Sequence, residues 1–235
     1  MRSISVSIFS LSVLASACTA IPVTETGQLK PGPDWVANSS EWRVEAEQVF
    51  ANAERYISEI EQTKEDGTWG VILDLDETVL NNVAYQVERD LSGTSYSPET
   101  WYAWTQREEA TLVPGAARFI EFVNANGGHV AFVTNRRDTE QLATERNLDA
   151  LGLKRSEDFR VFLTRALPNA PRDKDARFAQ VPLMLESQGY PGVEIVAYVG
   201  DNKGDKPATA GAWEFFCIDQ GAMYGEYCAD VPGSG

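Results

Sequence analysis

Short apolar runs alternate along the chain with longer stretches in which apolar residues recur at helical spacing. The apolar runs lie at residues 71–73, 129–133, 160–163, 195–199 and 213–218. Runs of this length between turn-type residues predict buried strands. Helical spacing occurs at about residues 40–63, 115–126 and 139–151. Strands interleaved with helices in this way predict a parallel, doubly wound α/β sheet.

Two carboxylates directly follow the first predicted strand. Asp74 and Asp76 stand in the segment DLDET at residues 74–78. Ligands of an open α/β sheet bind outside the carboxyl ends of its strands, and clustered carboxylates are costly there unless a positive group binds them. We therefore expect a divalent cation at this position. The alternative interpretation is that the segment only caps the N-terminus of a helix.

Two later strands also end in polar residues. Thr134 and Asn135 follow the run at 129–133. The Thr134 hydroxyl and the backbone N–H groups after it are suited to hold phosphoryl oxygens. Asp201 and Asp205 follow another run across a glycine turn, and their carboxylates are the hard oxygen ligands that Mg²⁺ prefers. Each of these segments alone would be an ordinary turn, but the carboxyl ends of parallel strands meet at one edge of a sheet.

A lysine between the second and third of these polar segments is the candidate cation. Lys174 begins a predicted helix in the mixed-charge segment RDKDARF at residues 172–178. Most lysines in such a segment are solvated. A site with four carboxylates that accepts a dianionic phosphate nevertheless needs a cationic group besides the metal. We therefore predict that Lys174 lies in the site.

These motifs, in this order, resemble those of the haloacid dehalogenase (HAD) superfamily of aspartate-nucleophile phosphohydrolases. Within it, the chain is similar to the class C bacterial acid phosphatases, which are lipoprotein 5′-nucleotidases of the outer membrane. The resemblance runs from about residue 42 to the C-terminus and rests on the segments DLDET, VTNR, KDARF and YVGDN. It implies a HAD-like α/β core, with a small helical and aromatic cap inserted at about residues 79–113.

The resemblance also implies a role for each candidate residue. The implied catalytic residues are Asp74 as nucleophile, Asp76 as general acid/base and Lys174 as neutralising charge. The implied phosphate-binding residues are Thr134 and Asn135. The implied Mg²⁺ ligands are Asp74, Asp76 through its backbone carbonyl, Asp201 and Asp205.

Two aromatic residues and one acid complete this comparison of motifs. Trp101 and Tyr224 lie in segments similar to the family's tryptophan and tyrosine motifs, so we expect both rings to line a nucleoside pocket. The family's last motif usually carries two adjacent acids. Here Asp205 stands instead between Lys203 and Lys206, which makes a weaker or outer role for Asp205 the expectation.

Composition narrows the class of function. The chain has 235 residues, is 43% hydrophobic and carries a net charge of −15, which suits one α/β domain. A nucleic-acid binder gains most of its affinity from Lys and Arg, so we expect a small phosphomonoester as the partner and no nucleic-acid polymer. The predicted function is a Mg²⁺-dependent acid phosphatase acting on nucleoside 5′-monophosphates and aryl phosphates. The alternatives are a phosphotransferase of the same fold and a non-catalytic surface protein that binds a divalent cation or phosphate.

The N-terminus predicts export. Residues 1–17 have a basic residue, an apolar stretch too short to span a membrane and small residues before Cys18, as a bacterial signal peptide does. The resemblance favours a lipid on Cys18 and a location at the outer membrane. Cleavage by ordinary signal peptidase and a periplasmic location are the alternative. Residues 18–40 predict a tether and 41–235 the phosphatase domain, and the resemblance allows a homodimer.

The remaining cysteines and the single histidine predict structural roles. Cys217 and Cys228 form an even pair in an exported chain, which favours a disulfide, with two separate buried thiols as the alternative. Such a bridge would enclose Tyr224 in a short loop. His129 begins a predicted strand, and the proposed chemistry does not need it. Ser40 is the predicted N-cap of the helix at 40–63.

Overall fold

The computed structural model describes residues 27–166 and 170–231. The helices are α1 (Pro31–Asn38), α2 (Ser40–Ile60), α3 (Val83–Leu91), α4 (Pro98–Thr105), α5 (Ala116–Ala125), α6 (Gln141–Ala150), α7 (Asp175–Phe178) and α8 (Gln180–Ser187). The strands are β1 (Trp69–Leu73), β2 (Leu80–Asn81), β3 (Thr111–Leu112), β4 (His129–Arg137), β5 (Val161–Arg165), β6 (Glu194–Gly200) and β7 (Glu214–Cys217). The predicted signal peptide and Cys18 lie outside the described residues. Among those described, no helix is long and apolar enough to cross a membrane.

One parallel sheet organises the chain. Its strand order is β5-β4-β1-β6-β7, and every neighbouring pair runs parallel. Strand β1 lies at the centre, with Leu73 beside Phe132 of β4 and Val199 of β6. Because parallel strands require crossover connections, helices separate them along the chain. The predicted doubly wound parallel sheet is confirmed.

Hydrophobic cores cover both faces of this sheet. Along β1, Val71 and Leu73 belong to one core and Ile72 to the other, since successive strand residues point to opposite faces. The first core includes α2 and α5, whose Phe50 and Phe119 rings have centroids 5.5 Å apart. The second core includes α7 and α8. Both faces of the sheet are therefore packed against helices, and this packing fixes the positions of the residues at its carboxyl edge.

The segment predicted as a cap contains a two-stranded sheet and two helices, and its buried residues join the core on one face of the main sheet. Strands β2 and β3 pair antiparallel, and α3 and α4 lie between them in the chain. Tyr85 and Trp104 are buried inside it, with ring centroids 6.2 Å apart. These two aromatic residues therefore serve packing.

The predicted tether is wrong for residues 31–38, which form helix α1 and bury Val36. Prolines suggested a linker, but Pro31 and Pro33 stand in the first turn of the helix, where a missing N–H costs nothing. The predicted N-cap is also displaced by one residue. The Oγ of Ser39, not that of Ser40, accepts hydrogen bonds from two backbone N–H groups at the start of α2. Residues 18–26 of the predicted tether lie outside the described part of the chain.

Candidate active site

The carboxyl edge of the sheet opens into a cavity of about 840 Å³. Asp74 follows β1 directly, and its backbone N–H donates to the carbonyl of Val199, 2.9 Å away. Asp201 follows β6 directly, while Asn135 lies in the last part of β4. All three carry side chains into the lining of the cavity. The sheet thus brings the predicted strand-end residues together, as the parallel topology requires.

Lys174 binds two carboxylates at the floor of the site. Its Nζ lies 2.5 Å from Oδ1 of Asp74 and 2.5 Å from Oδ1 of Asp205, and all three side chains are buried. Burial alone would lower the pKa of Lys174, but the charges of Asp205 and Asp74 raise it. Burial raises the pKa of Asp74, and the charge of Lys174 opposes that rise. Lys174 is therefore charged, and it compensates the carboxylates that the sheet edge collects.

Asp205 has protein partners on both oxygens. Its Oδ2 accepts from the backbone N–H groups of Asp201 and Asn202, at 3.1 and 3.2 Å, while Oδ1 accepts from Lys174. Gly200 makes this turn fit, because a Cβ at that position would lie 2.1 Å from Cβ of Asp205. Asp205 therefore fixes the turn after β6 and holds Lys174 in place.

A divalent cation fits the donor set. Asp74, Asp201 and Asp205 each have a carboxylate oxygen within 4.8 Å of the others. Both oxygens of Asp205 are bound by Lys174 and two backbone N–H groups, whereas Asp201 accepts, within the described structure, only from the side-chain amides of Asn202 and Gln220. Asp74 binds Lys174 through Oδ1 alone. Asp74 and Asp201 are therefore the side chains best placed to bind a metal. The backbone carbonyl of Asp76 accepts no hydrogen bond among the described residues, so it is available as well. These are hard oxygen donors of the type that Mg²⁺ binds.

Asp76 stands beside this cluster and remains accessible to the cavity, with its side chain 22% exposed. Its Oδ1 accepts from Nε and Nη2 of Arg136, at 2.9 and 2.7 Å, and from Nδ2 of Asn82 at 2.9 Å. Its Oδ2 accepts no hydrogen bond within the described part of the chain. One oxygen is therefore fixed, and the other is available for proton transfer.

Arg136 is a site residue to which sequence reasoning gave no role. Its side chain is 1% exposed, and besides Asp76 it donates to Oγ1 of Thr144 at 2.9 Å. A buried guanidinium requires such partners. The sequence contains a signal for a buried position of Arg136. It directly follows Thr134 and Asn135 near a strand end, so it has no solvent-exposed helix face to occupy.

The two predicted phosphate-binding residues differ in position. Asn135 lines the cavity, whereas Thr134 is fully buried and is not part of the described lining. Arg177 donates to the carbonyl of Thr134 and, at 2.8 Å, to Oδ1 of Asn135. The backbone N–H of Arg136 donates to Oγ1 of Thr134 at 3.1 Å. These hydrogen bonds hold the last part of β4 in place, and the role of both residues in phosphate binding stays a prediction.

Trp101 and Tyr224 line the same cavity. The Trp101 ring makes an edge contact with Tyr85, with centroids 5.1 Å apart, and the Arg136 guanidinium lies 5.6 Å from its centroid. The disulfide between Cys217 and Cys228 is confirmed, and Tyr224 lies inside the loop it closes. Both rings thus share the cavity with Asp74 and Lys174, and their role in nucleoside binding stays a prediction.

Glu77 is a second residue without a predicted role. Its φ is 59°, a conformation uncommon outside glycine, and its side chain is buried. Oε2 accepts from the Tyr224 hydroxyl at 2.7 Å, and Oε1 accepts from the backbone N–H of Asn82 at 2.9 Å. Burial, followed by the charge of Asp76, raises the pKa of Glu77 to about 8. Glu77 therefore connects the catalytic segment to the loop that carries Tyr224.

Comparisons with known proteins agree with this geometry. A family model described as HAD superfamily, subfamily IIIB (Acid phosphatase), matches residues 6–225. Among solved structures, the class C acid phosphatase from Bacillus anthracis is similar, with a TM-score of 0.61 and 25% sequence identity. That match covers 74% of this chain and 68% of the other. A second structure of the same Bacillus anthracis protein, with tungstate bound, matches with the same TM-score, identity and coverage.

Proposed function

The chain belongs to the HAD superfamily, subfamily IIIB, the acid phosphatases, and from that premise we propose that it hydrolyses phosphomonoesters through an aspartyl-phosphate on Asp74. The observation that carries the proposal is the buried contact of 2.5 Å between Asp74 and Lys174 at the carboxyl end of the central strand. It holds a nucleophile and a compensating charge together at the floor of one cavity. Tungstate bound to the Bacillus anthracis protein supports an oxyanion site in this family.

Asp74 and Lys174 together make attack on a dianion feasible. The carboxylate of Asp74 attacks phosphorus, the bond to the leaving oxygen breaks, and Lys174 reduces the repulsion between the two anions. Because Lys174 is also bound to Asp205, its ammonium stays in place when Asp74 becomes esterified. Arg177 holds the turn of Thr134 and Asn135, which keeps the phosphate-binding groups ordered.

Asp76 is the group we assign to proton transfer. Its accessible Oδ2 donates a proton to the leaving oxygen and then accepts one from the water that hydrolyses the aspartyl-phosphate. Arg136 fixes Oδ1 of the same carboxylate. An Asp76→Asn variant should therefore lose more activity on alkyl phosphates than on activated aryl phosphates, whose leaving groups need no proton.

We assign Mg²⁺ as the cofactor, held by the side chains of Asp74 and Asp201 and the carbonyl of Asp76. When bound, the ion supplies positive charge that polarises the phosphoryl group. Nucleoside 5′-monophosphates and aryl phosphates are the proposed substrates, because two aromatic rings, Trp101 and Tyr224, line the cavity. Aromatic rings can stack on any nucleobase, because every base has a π-face.

The decisive experiment is hydrolysis of para-nitrophenyl phosphate by the mature protein. We expect turnover that disappears with EDTA, returns with Mg²⁺ and is absent in Asp74→Asn. Acid quench of a radiolabelled substrate should trap a phosphoprotein in the wild type only. Metal binding without turnover would favour the non-catalytic alternative. Release of less phosphate than para-nitrophenol when an alcohol is added would favour the phosphotransferase.

We propose that the protein is exported and carries a lipid on Cys18. The disulfide between Cys217 and Cys228 supports an oxidising compartment. Mass spectrometry of the membrane-bound form should find a diacylglyceryl group on Cys18, and a Cys18→Ser variant should leave the membrane fraction. An unmodified N-terminus at Cys18 or later would instead support ordinary cleavage and a soluble periplasmic enzyme.

A further inference from the structure

Basic side chains are concentrated around the cavity although the chain as a whole is strongly acidic. The net charge is −15, and Lys and Arg together number only 20. Eight of these 20 line the cavity: Lys30, Arg89, Arg136, Arg137, Arg165, Arg172, Lys174 and Lys203. The positive charge of these side chains is opposite in sign to the net charge of the chain, which indicates that the cavity binds an anionic ligand.

Half of these eight residues are neutralised by protein carboxylates. The paired residues are Lys30 with Asp90, Arg136 with Asp76, Lys174 with Asp74 and Asp205, and Lys203 with Glu226. The other four are Arg89, Arg137, Arg165 and Arg172, and none has a carboxylate partner within residues 27–166 and 170–231. Arg89 instead lies over the ring of Tyr85, 5.5 Å from its centroid.

Arg137, Arg165 and Arg172, which we call the arginine cluster, all line the cavity. Arg137 and Arg165 are direct partners in the pairing of β4 and β5. Like charges at neighbouring positions repel each other. Nε of Arg165 is also buried without a hydrogen-bond partner in the described structure, which costs the desolvation of a charged donor. The arrangement is unfavourable for the protein alone, and an anion bound there would relieve it.

The arginine cluster borders the turn that we assign to phosphate binding. Arg177, which holds Asn135, also donates to the carbonyl of Arg172 at 3.2 Å. Burial and the nearby charge of Arg165 lower the pKa of Arg177, although Asp74 opposes this. Arg165 and Arg172 are therefore both neighbours of the residue that orders Asn135.

The acids beside the arginine cluster are occupied elsewhere. Glu140 lines the cavity, but its Oε2 accepts from the backbone N–H of Arg137 at 2.9 Å and makes no ion pair with the guanidinium. Oδ1 of Asp173 accepts from the backbone N–H of Asp175 at 3.0 Å. None of the three guanidinium groups therefore forms an ion pair with a described carboxylate, although the charge of Arg137 acts at longer range on Glu140 and Glu99.

We propose that the arginine cluster is a subsite for a second phosphate of the substrate, so that the preferred substrates are phosphomonoesters carrying another phosphate group. This rests on the proposed function, in which Lys174 and the turn of Thr134 and Asn135 serve the reacting phosphate. Guanidinium groups bind phosphate oxygens through paired N–H donors. Several guanidinium groups together suit a phosphate dianion better than they suit a single carboxylate. A cavity of about 840 Å³ also exceeds what one phosphate needs.

Electrostatic steering is the competing explanation for the cluster. Steering would raise kcat/KM for every anionic substrate to a similar degree, and this increase would become smaller as the salt concentration rises. A subsite instead discriminates between substrates with and without the second phosphate. The ratio of kcat/KM within a matched substrate pair separates the two explanations.

The test uses two matched pairs at different phosphate spacings: adenosine 3′,5′-bisphosphate against adenosine 5′-monophosphate, and fructose 1,6-bisphosphate against fructose 6-phosphate. We expect kcat/KM for the bisphosphate to exceed that of the monophosphate at least tenfold in one pair, on the order of one good charged contact. Arg165→Gln and Arg172→Gln should each reduce that ratio towards one. Arg43→Gln, at an exposed arginine outside the cavity, should leave it unchanged.

A ratio near one in both pairs, or an equal loss for both members of a pair in the variants, would overturn the subsite. Thermal melting of each variant checks that the sheet is intact. Calorimetric binding of the bisphosphate and the monophosphate to Asp74→Asn tests the subsite without turnover. If Asp74→Asn prefers the bisphosphate and wild type does not hydrolyse para-nitrophenyl phosphate, the subsite stands and the proposed function fails.

Discussion

The two sides of the cavity are built differently. On the sheet side, Lys174 at the start of α7 binds two buried aspartates, Asp74 after β1 and Asp205 in the turn after β6, and its side chain is only 2% exposed. On the opposite side, Trp101 lies on α4 and Tyr224 on the loop closed by the disulfide, and Tyr224 is 47% exposed. One side is fixed by the main sheet and the other by side-chain contacts.

Under the proposed function, the sheet side carries the chemistry and the aromatic side, with Trp101 and Tyr224, selects the substrate. Changes on the sheet side should affect every substrate alike, because they remove interactions with the phosphoryl group that all substrates share. Changes on the aromatic side should affect substrates according to their leaving groups.

The largest effect should come from Asp74. Asp74→Asn removes the nucleophile, and we expect kcat to fall at least about 10⁴-fold for aryl and alkyl phosphates alike, as for other covalent catalysts. Steady-state kinetics with several substrates measures this. Asp149→Asn, at an exposed aspartate, is the matched control and should retain full activity. Residual activity within tenfold of wild type would show that Asp74 is not the nucleophile.

The second-largest effect should be the difference in Mg²⁺ dependence between variants of Asp201 and Asp205, two aspartates of the sheet side. Asp201→Asn should raise the Mg²⁺ concentration needed for half-maximal activity by about 10- to 100-fold, in the range of ligand-shell effects. Asp205→Asn should raise it less, because Asp205 binds Lys174 and backbone N–H groups. Titration of activity with Mg²⁺ measures both. Equal shifts would mean that Asp205 is a direct ligand.

On the aromatic side the expected effect is smaller and selective. Tyr224→Ala should raise KM for adenosine 5′-monophosphate about tenfold, within the 1–3 kcal/mol typical of a stacked base, and should change KM for glycerol phosphate little. Tyr227→Ala is the control, since Tyr227 is exposed in the same loop and does not line the cavity. A uniform loss for both substrates would place Tyr224 with the packing residues.

The smallest effect concerns His129, at the opposite end of β4 from the site. Its Nδ1 accepts from Nε of Arg160 at 3.0 Å, and burial and that charge lower the pKa of His129 below its ordinary 6.5. Its contribution to stability is therefore complete above pH 6.5 and is lost as the pH falls through the lowered pKa.

Melting curves between pH 7 and pH 4.5 measure this contribution. We expect the wild type to lose about 2–4 °C more than His129→Gln over that range, with kcat at pH 7 unaffected. Parallel curves for the two proteins would contradict the assignment of a neutral, structural ring.

The grouping of residues at the strand ends could be predicted from the sequence for a physical reason, while the role of each residue stays a prediction. Asp74, Thr134 and Asp201 follow apolar runs, and parallel strands bring their carboxyl ends together whatever the details of packing. Arg136 and Glu77 were not predicted, because the direction in which a long side chain turns depends on tertiary partners 60 or more residues away. The unpaired state of Arg165 is likewise a property of neighbouring strands, which the sequence alone does not specify.

The central position of β1 has a consequence for how the enzyme becomes active. Asp74 and Lys174 are separated by 100 residues in the chain, and β1 pairs with β6, which ends at Gly200. Contacts at such separation form late, because closing a long loop costs entropy before the contact compensates. Catalytic activity should thus return only after β6 has joined the sheet, so recovery of turnover during refolding reports the completion of the sheet and not its first collapse.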